Sequence, residues 1–130
     1  MKSLIVEDEF TTRLILQNIL NEYGEVHIAA NGREAAEAVH LALKEKIPYD
    51  LITLDVVMPE MNGQEALKSI RDLEGHFEIL PATGVKIIMT TALGDGKNIM
   101  AAFKEQCDGY LIKPVDKAKL LKYLQDFELI

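Results

Sequence analysis

The chain has 130 residues, which is enough for one compact domain over residues 1–130 and too few for two domains of ordinary size. Hydrophobic residues make up 48% of it, which argues against disorder, and its net charge of -7 argues against direct binding to nucleic acid. The single cysteine, Cys107, excludes an intrachain disulfide, and we expect a small buried side chain there.

Neither a membrane segment nor a secretion signal is indicated by the hydrophobic pattern. No apolar stretch approaches the ~20 residues that span a bilayer, and the apolar run at the N-terminus meets acid at Glu7. The three histidines are scattered and lack the spacing of a metal site. We therefore expect a cytoplasmic protein without membrane contact.

Apolar periodicity switches regularly between that of strands and that of helices. In chain order, the predicted elements are a strand at residues 2–6, a helix at 11–23, a strand at 26–30, a helix at 34–46, a strand at 51–54, a helix at 64–73, a strand at 85–89, a helix at 97–106, a strand at 110–112 and a helix at 117–127. Residues 74–84 have no clear period, so we expect there a long loop, or a frayed helix end followed by a loop.

Five strands that alternate with five helices predict a parallel sheet that is covered by helices on both faces. Right-handed crossovers place the carboxyl ends of all strands at one edge of the sheet. Ligands bind at that edge in open sheets of this kind.

Polar side chains follow four of the five predicted strands. They are Glu7, Asp8 and Glu9 after the first strand, Asp55 after the third, Thr90 and Thr91 after the fourth, and Lys113 after the fifth. Two carboxylates about 4 Å apart repel by roughly 4 kcal/mol at an effective dielectric of 20, and Mg2+ relieves such repulsion. An aspartate beside Mg2+ and a lysine can attack a phosphoryl group, so the edge is a candidate phosphoryl-transfer site.

Each of these residues also has a simpler interpretation. Asp8 could cap the first helix, Asp55 could belong to a turn, and Lys113 could be a solvated loop lysine. The threonines could be ordinary strand residues, and Tyr110 could be either a buried aromatic or part of a switch. The joint pattern on four strand ends favours the phosphoryl-transfer site over these readings.

Four stretches resemble the receiver domains of two-component response regulators, in particular the single-domain chemotaxis type. They are LIVEDE at 4–9, LDVVMPEMNG at 54–63, MTTA at 89–92 and GYLIKP at 109–114. The resemblance covers essentially the whole chain. It implies an α/β, doubly wound, flavodoxin-like sheet of five parallel strands in the order 2-1-3-4-5.

The resemblance also implies an acceptor and a metal site. Asp55 would be the phosphorylated aspartate and a ligand of Mg2+. Asp8 would bind the ion directly, Val57 through its backbone carbonyl, and Glu7 through water, at a position where relatives usually carry aspartate. Val57 is apolar where some relatives carry an amide or an acid, which leaves the phosphoryl lifetime open.

A switch follows from the same resemblance. Thr91 matches the switch hydroxyl better than Thr90, Lys113 matches the phosphate-contacting lysine, and Tyr110 matches the aromatic switch residue. The bond from Lys113 to Pro114 is often cis in the family. Phosphorylation would change the surface of the fourth helix, fifth strand and fifth helix, with candidate positions at Lys97, Lys104, Gln106, Tyr110 and Lys117.

We therefore expect a phospho-acceptor response regulator in a phosphorelay. The donor would be a histidine kinase or phosphotransfer protein, and a separate output protein would receive the signal. Because the chain ends soon after the fifth helix, we expect no output domain. We also expect no catalysis beyond self-phosphotransfer and autodephosphorylation, and a monomer or weak dimer.

Several alternatives remain. The main one is a receiver-fold interaction module that is never phosphorylated. A flavodoxin-like electron carrier would need a phosphate-binding loop where Glu7, Asp8 and Glu9 stand, and a phosphatase of the haloacid dehalogenase type would need a second aspartate at Val57. A P-loop nucleotide-binding enzyme is excluded because its motif is missing.

Overall fold

The computed structural model describes residues 1–58, 61–80, 82–92, 104 and 107–130. Five parallel strands form one sheet, and they are β1 (Lys2–Val6), β2 (Glu25–Ala29), β3 (Leu51–Asp55), β4 (Lys86–Thr91) and β5 (Gly109–Ile112). Their order across the sheet is β2-β1-β3-β4-β5. The predicted doubly wound α/β fold is confirmed.

Helices cover both faces of this sheet. They are α1 (Phe10–Leu20), α2 (Gly32–Lys44), α3 (Gly63–His76) and the C-terminal helix (Lys117–Asp126), and a 3-10 turn (Asn21–Tyr23) follows α1. The helix predicted at residues 97–106, with Lys97 and Gln106 of the candidate surface, lies outside the described residues apart from Lys104. Within the described ranges, every helix is too short or too polar to cross a bilayer.

Side-chain alternation along the strands builds two apolar layers, one on each face of the sheet. The layer toward α2 and α3 includes Ile52 and Leu54 of β3, and the layer toward α1 and the C-terminal helix includes Leu51 of β3. Burial on both faces explains why β1, β3 and β4 contain continuous apolar runs, whereas β2, at the edge of the sheet, is only partly buried.

Asparagine caps start α2 and α3 slightly earlier than the periodicity predicts. The Asn31 side chain accepts a hydrogen bond from the Glu34 backbone N–H, and Asn62 accepts one from the Glu65 N–H, both at 2.9 Å. Such bonds satisfy backbone donors that the first helical turn leaves unpaired. Asn31 therefore acts as a helix cap as well as closing the turn after β2.

The segment at residues 74–84 is a helix end followed by a loop, which is the second of the two predicted possibilities. Helix α3 continues to His76 because Arg71 and Glu74 turn inward and become buried. Arg71 bonds Glu74 at 2.7 Å, the Val85 carbonyl at 2.8 Å and Asp108 at 2.8 Å. We call these three charged side chains the Arg71 network.

The Arg71 network fixes the amino-terminal ends of β4 and β5. The Val85 N–H donates to Glu74 at 2.7 Å, and the Ile87 N–H donates to Asp108 at 2.8 Å. Cys107, next to this network, is buried as predicted, and burial raises the pKa of its thiol to about 11. A thiol of that kind is a packing group rather than a reactive one.

Candidate functional site

Three acidic side chains meet at the carboxyl edge of the sheet. Glu7 directly follows β1, Asp8 is next to it, and Asp55 is the last residue of the neighbouring strand β3. Carboxylate oxygens from the three residues all lie within 4.8 Å of one another. Glu7 and Asp55 are buried, whereas Asp8 is exposed to solvent. The structure thus brings the predicted acids together.

A lysine ammonium lies between two of these acids. Lys113 Nζ is 2.9 Å from Glu7 Oε1 and 3.2 Å from Asp55 Oδ2, and its side chain is only 13% exposed. Burial by itself would lower the pKa of Lys113, but the two carboxylates outweigh it and raise that pKa. Lys113 is therefore not a solvated loop lysine.

Glu7 is the most perturbed carboxyl of the site. Burial, followed by its hydrogen bond to Asp55, raises the pKa of Glu7 to about 7, against the opposing effect of Lys113. Burial is the main cause, because it removes water from the charged form, and the neighbouring Asp55 carboxylate adds to it. The three carboxyl groups therefore form an acidic cluster whose negative charge a bound cation would neutralise.

The acids open into a cleft of about 400 Å³. It is lined by Asp8, Glu9, Asp55, Val57, Thr91, Ala92 and Lys113. Glu9 was predicted to lie at this edge without a role in metal binding or transfer, and its carboxylate accepts a hydrogen bond from the Thr12 hydroxyl, which lowers the pKa of Glu9. Glu9, not Asp8, occupies the N-cap position of α1, so the simpler interpretation of Asp8 is wrong.

The backbone after Asp55 is held closely against the start of α3. The Val57 N–H donates to Asp55 Oδ1 at 3.2 Å, and the Gly63 N–H donates to the Val56 carbonyl at 2.9 Å. A Cβ atom at Gly63 would come within 2.1 Å of the Asp55 carbonyl oxygen, so only glycine fits there. The Val57 side chain is 59% exposed at the mouth of the cleft.

The two threonines at the end of β4 point to opposite faces of the sheet. Thr91 faces the same layer as Met89 and lines the cleft, whereas Thr90 pairs in register with Asp55. Tyr110 lies outside the cleft, half-buried against the core layer of α2 and α3, with Met89 as its register partner. The Lys113–Pro114 peptide bond is cis, as the resemblance implied.

The family model of the response regulator receiver domain matches residues 3–125. The chain belongs to the response regulator receiver domain family. It is a receiver domain of two-component signalling, similar to the chemotaxis protein CheY of Thermotoga maritima, which is 32% identical over 123 residues, 93% of this chain and 92% of that protein.

Two solved structures extend the likeness. The receiver domain of the histidine kinase CKI1 from Arabidopsis thaliana, complexed with Mg2+ and BeF3-, matches with 25% identity and a TM-score of 0.80, over 98% of this chain and 89% of that chain. A chain of the co-crystal structure of the Saccharomyces cerevisiae phosphotransfer protein Ypd1 and the receiver domain of Ssk1 matches with 29% identity and a TM-score of 0.80, over 98% and 88%.

Proposed function

We propose that this receiver domain is a phospho-acceptor whose Asp55 takes a phosphoryl group from a phosphohistidine. The observation that carries the proposal is the surroundings of the Asp55 carboxylate. Two more carboxylates have oxygens within 4.8 Å, and the Lys113 ammonium is 3.2 Å away. Receiver domains act with histidine kinases or phosphotransfer proteins, and the Ypd1–Ssk1 complex is one such pair.

The acidic residues fit a Mg2+ ion. Mg2+ prefers hard oxygen ligands and usually takes one or two carboxylates together with waters and phosphate oxygens. Asp8 and Asp55 would bind it directly, the Val57 carbonyl would be a third ligand, and Glu7 would reach it through water. When bound, the ion supplies positive charge to the phosphoryl oxygens.

The chain's own residues then perform the transfer. An Asp55 carboxylate oxygen attacks phosphorus, a P–O bond forms, and the P–N bond to the donor histidine breaks. The Val57 N–H orients the carboxylate, and Lys113 moves its charge toward the equatorial phosphoryl oxygens. Water, which enters past the exposed Val57 side chain, later hydrolyses the aspartyl phosphate and releases inorganic phosphate. The chain would thus catalyse only its own phosphorylation and dephosphorylation.

The effect of phosphorylation would be transmitted to a partner protein through the face of β4 that carries Met89 and Thr91. The attached group adds about 1.5 to 2 negative charges, and the Thr91 hydroxyl can turn to one of its oxygens. Tyr110 shares that face and would move into the space that Thr91 leaves. The surface of β5 and the C-terminal helix, with exposed Lys104 and Lys117, would then change its affinity for a separate output protein.

An apolar patch beside the cleft fits the phosphodonor protein. Phe10 and Leu14 lie one turn apart on α1, directly after Glu9, and are 66% and 43% exposed. A donor histidine must approach Asp55 from this side, so its helix would cover the two side chains.

We predict that Phe10→Ala slows transfer from a phosphotransfer protein active on the wild type by about tenfold, because an interface anchor is lost. Its rate with acetyl phosphate should stay unchanged, because that donor needs no docking surface. Leu41→Ala is the matched control, since Leu41 is 56% exposed on α2. Equal transfer rates for the two variants would exclude the α1 patch as the donor contact.

The proposed function is tested by intact mass after incubation with acetyl phosphate and Mg2+. Wild type should gain about 80 Da, the mass of one phosphoryl group, whereas Asp55→Asn and wild type with a chelator should not. Beryllofluoride provides a second probe, read from the NMR signals around Tyr110. If neither reagent changes the wild type, the chain is better described as an interaction module that is never phosphorylated.

A further inference from the structure

Strand register places Thr90 directly beside the acceptor. Asp55 of β3 and Thr90 of β4 are register partners, and the ladder continues beyond them because the Val56 N–H donates to the Thr90 carbonyl at 2.9 Å. Register partners on neighbouring strands point their side chains to the same face, about 4.8 Å apart. The Thr90 side chain therefore adjoins Asp55 on the face toward α1.

The Thr90 hydroxyl is buried without a hydrogen-bond partner among the described residues. Thr90 is 1% exposed, and its Oγ1 makes no hydrogen bond in the described part of the chain. Buried hydroxyls are nearly always hydrogen-bonded, because a buried hydroxyl without a partner loses its hydrogen bonds to water and forms no replacement. The acceptor in its own register row is the Asp55 carboxylate, which already takes the Val57 N–H and the Lys113 ammonium.

We propose that Thr90 is a positioning residue for Asp55, with its hydroxyl donating a hydrogen bond to the Asp55 side chain. This inference rests on the proposed function. When Lys113 turns toward the phosphoryl oxygens, Asp55 loses one of its hydrogen-bond partners, and the Thr90 hydroxyl supplies the replacement. The step forms one hydrogen bond and changes no covalent bond.

Thr53 provides a matched control within the same sheet face. It lies two residues before Asp55 on β3, is also 1% exposed, and its hydroxyl also has no partner in the described part of the chain. Its register partners, Ile5 and Ile88, are both apolar. Among the residues described, Thr53 thus shares with Thr90 its burial and its unpartnered hydroxyl, and it differs in having no carboxylate as a register partner.

The test compares Thr90→Val, Thr90→Ser and Thr53→Val with wild type. Phosphorylation by acetyl phosphate with Mg2+ should be about fivefold slower in Thr90→Val, the effect of one neutral hydrogen bond, and within about twofold of wild type in Thr90→Ser. Thr53→Val should phosphorylate at the wild-type rate. Urea unfolding should find Thr90→Val at least as stable as wild type, because valine has the same shape without an unpaired hydroxyl.

A direct readout is the carboxyl carbon resonance of Asp55 in protein labelled with 13C at aspartate, recorded with Mg2+ and beryllofluoride, which stands in for the phosphoryl group toward which Lys113 turns. It should shift in Thr90→Val and keep its wild-type position in Thr90→Ser and Thr53→Val. An unchanged resonance in Thr90→Val, or an equal loss of rate in Thr53→Val, would overturn the inference. A wild type that takes no phosphoryl group would refute the proposed function instead, and the resonance would still decide whether Thr90 contacts Asp55.

Discussion

Replacing Lys113 by methionine will slow phosphorylation by acetyl phosphate about a hundredfold, the usual effect of losing one electrostatic partner of the transition state. The ammonium lies 2.9 Å from Glu7 and 3.2 Å from Asp55, so its removal leaves two buried carboxylates facing each other. The incoming phosphoryl group then meets uncompensated negative charge. The rate is measured as the gain of phosphorylated mass with time at fixed acetyl phosphate and Mg2+.

Lys119→Met controls for a general change in charge. Lys119 is an exposed residue of the C-terminal helix and lines a different cleft, so its loss should leave the rate unchanged. Lys113→Arg keeps the charge but not the compact ammonium, and we expect an intermediate rate. A Lys113→Met rate within threefold of wild type would show that Lys113 does not serve the transfer.

Arg71→Met will lower the free energy of unfolding by about 3–5 kcal/mol, because it leaves the Glu74 and Asp108 carboxylates without their positively charged partner. The Arg71 and Glu74 side chains are 6% and 4% exposed, and Asp108 is 21% exposed. The guanidinium also donates to the Val85 carbonyl at 2.8 Å, so a backbone acceptor is left unpaired as well. Urea unfolding followed by far-UV circular dichroism gives the value.

Two further variants make this result interpretable. Lys122→Met removes the exposed pair with Asp126, whose side chains are 75% and 56% exposed, and should cost less than about 0.5 kcal/mol. Arg71→Met combined with Glu74→Gln should recover part of the loss, since the amide oxygen still accepts from the Val85 N–H without burying a charge. An Arg71→Met cost no larger than that of Lys122→Met would mean that the Arg71 network adds little stability.

Hydrophobic pattern alone predicted all five strands, the second from alternating apolar residues and the others from short continuous apolar runs. It ended two of them too early. The third strand was predicted at residues 51–54 and the fourth at 85–89, whereas β3 ends at Asp55 and β4 ends at Thr91. Polarity marks a strand end only where the polar residue leaves the sheet, and here the polar residues stay buried within the ladder.

The strand order came from the family resemblance, since apolar runs do not specify which strands are neighbours. The gathering of Asp55 and Lys113 at one edge followed from parallel topology, and the structure agrees. The Arg71 network could not be predicted, because the helix was expected to end at residue 73 and Glu74 fell in the segment without a clear period. The burial of Arg71 and Glu74 depends on Asp108, which is 37 residues from Arg71 in the chain.

The Arg71 network and the acceptor lie at opposite ends of β4. The amino-terminal end of β4 is held through the Val85 and Ile87 backbone by the three charged side chains of the Arg71 network, while its carboxyl-terminal end carries Thr90 and Thr91. Both ends of β4 are therefore held, the first by charged side chains and the second by the Val56 and Lys113 N–H groups, which donate to the Thr90 and Thr91 carbonyls. A displacement at Asp55 would pass along these backbone bonds to β4 and then sideways to β5, whose Tyr110 is the register partner of Met89.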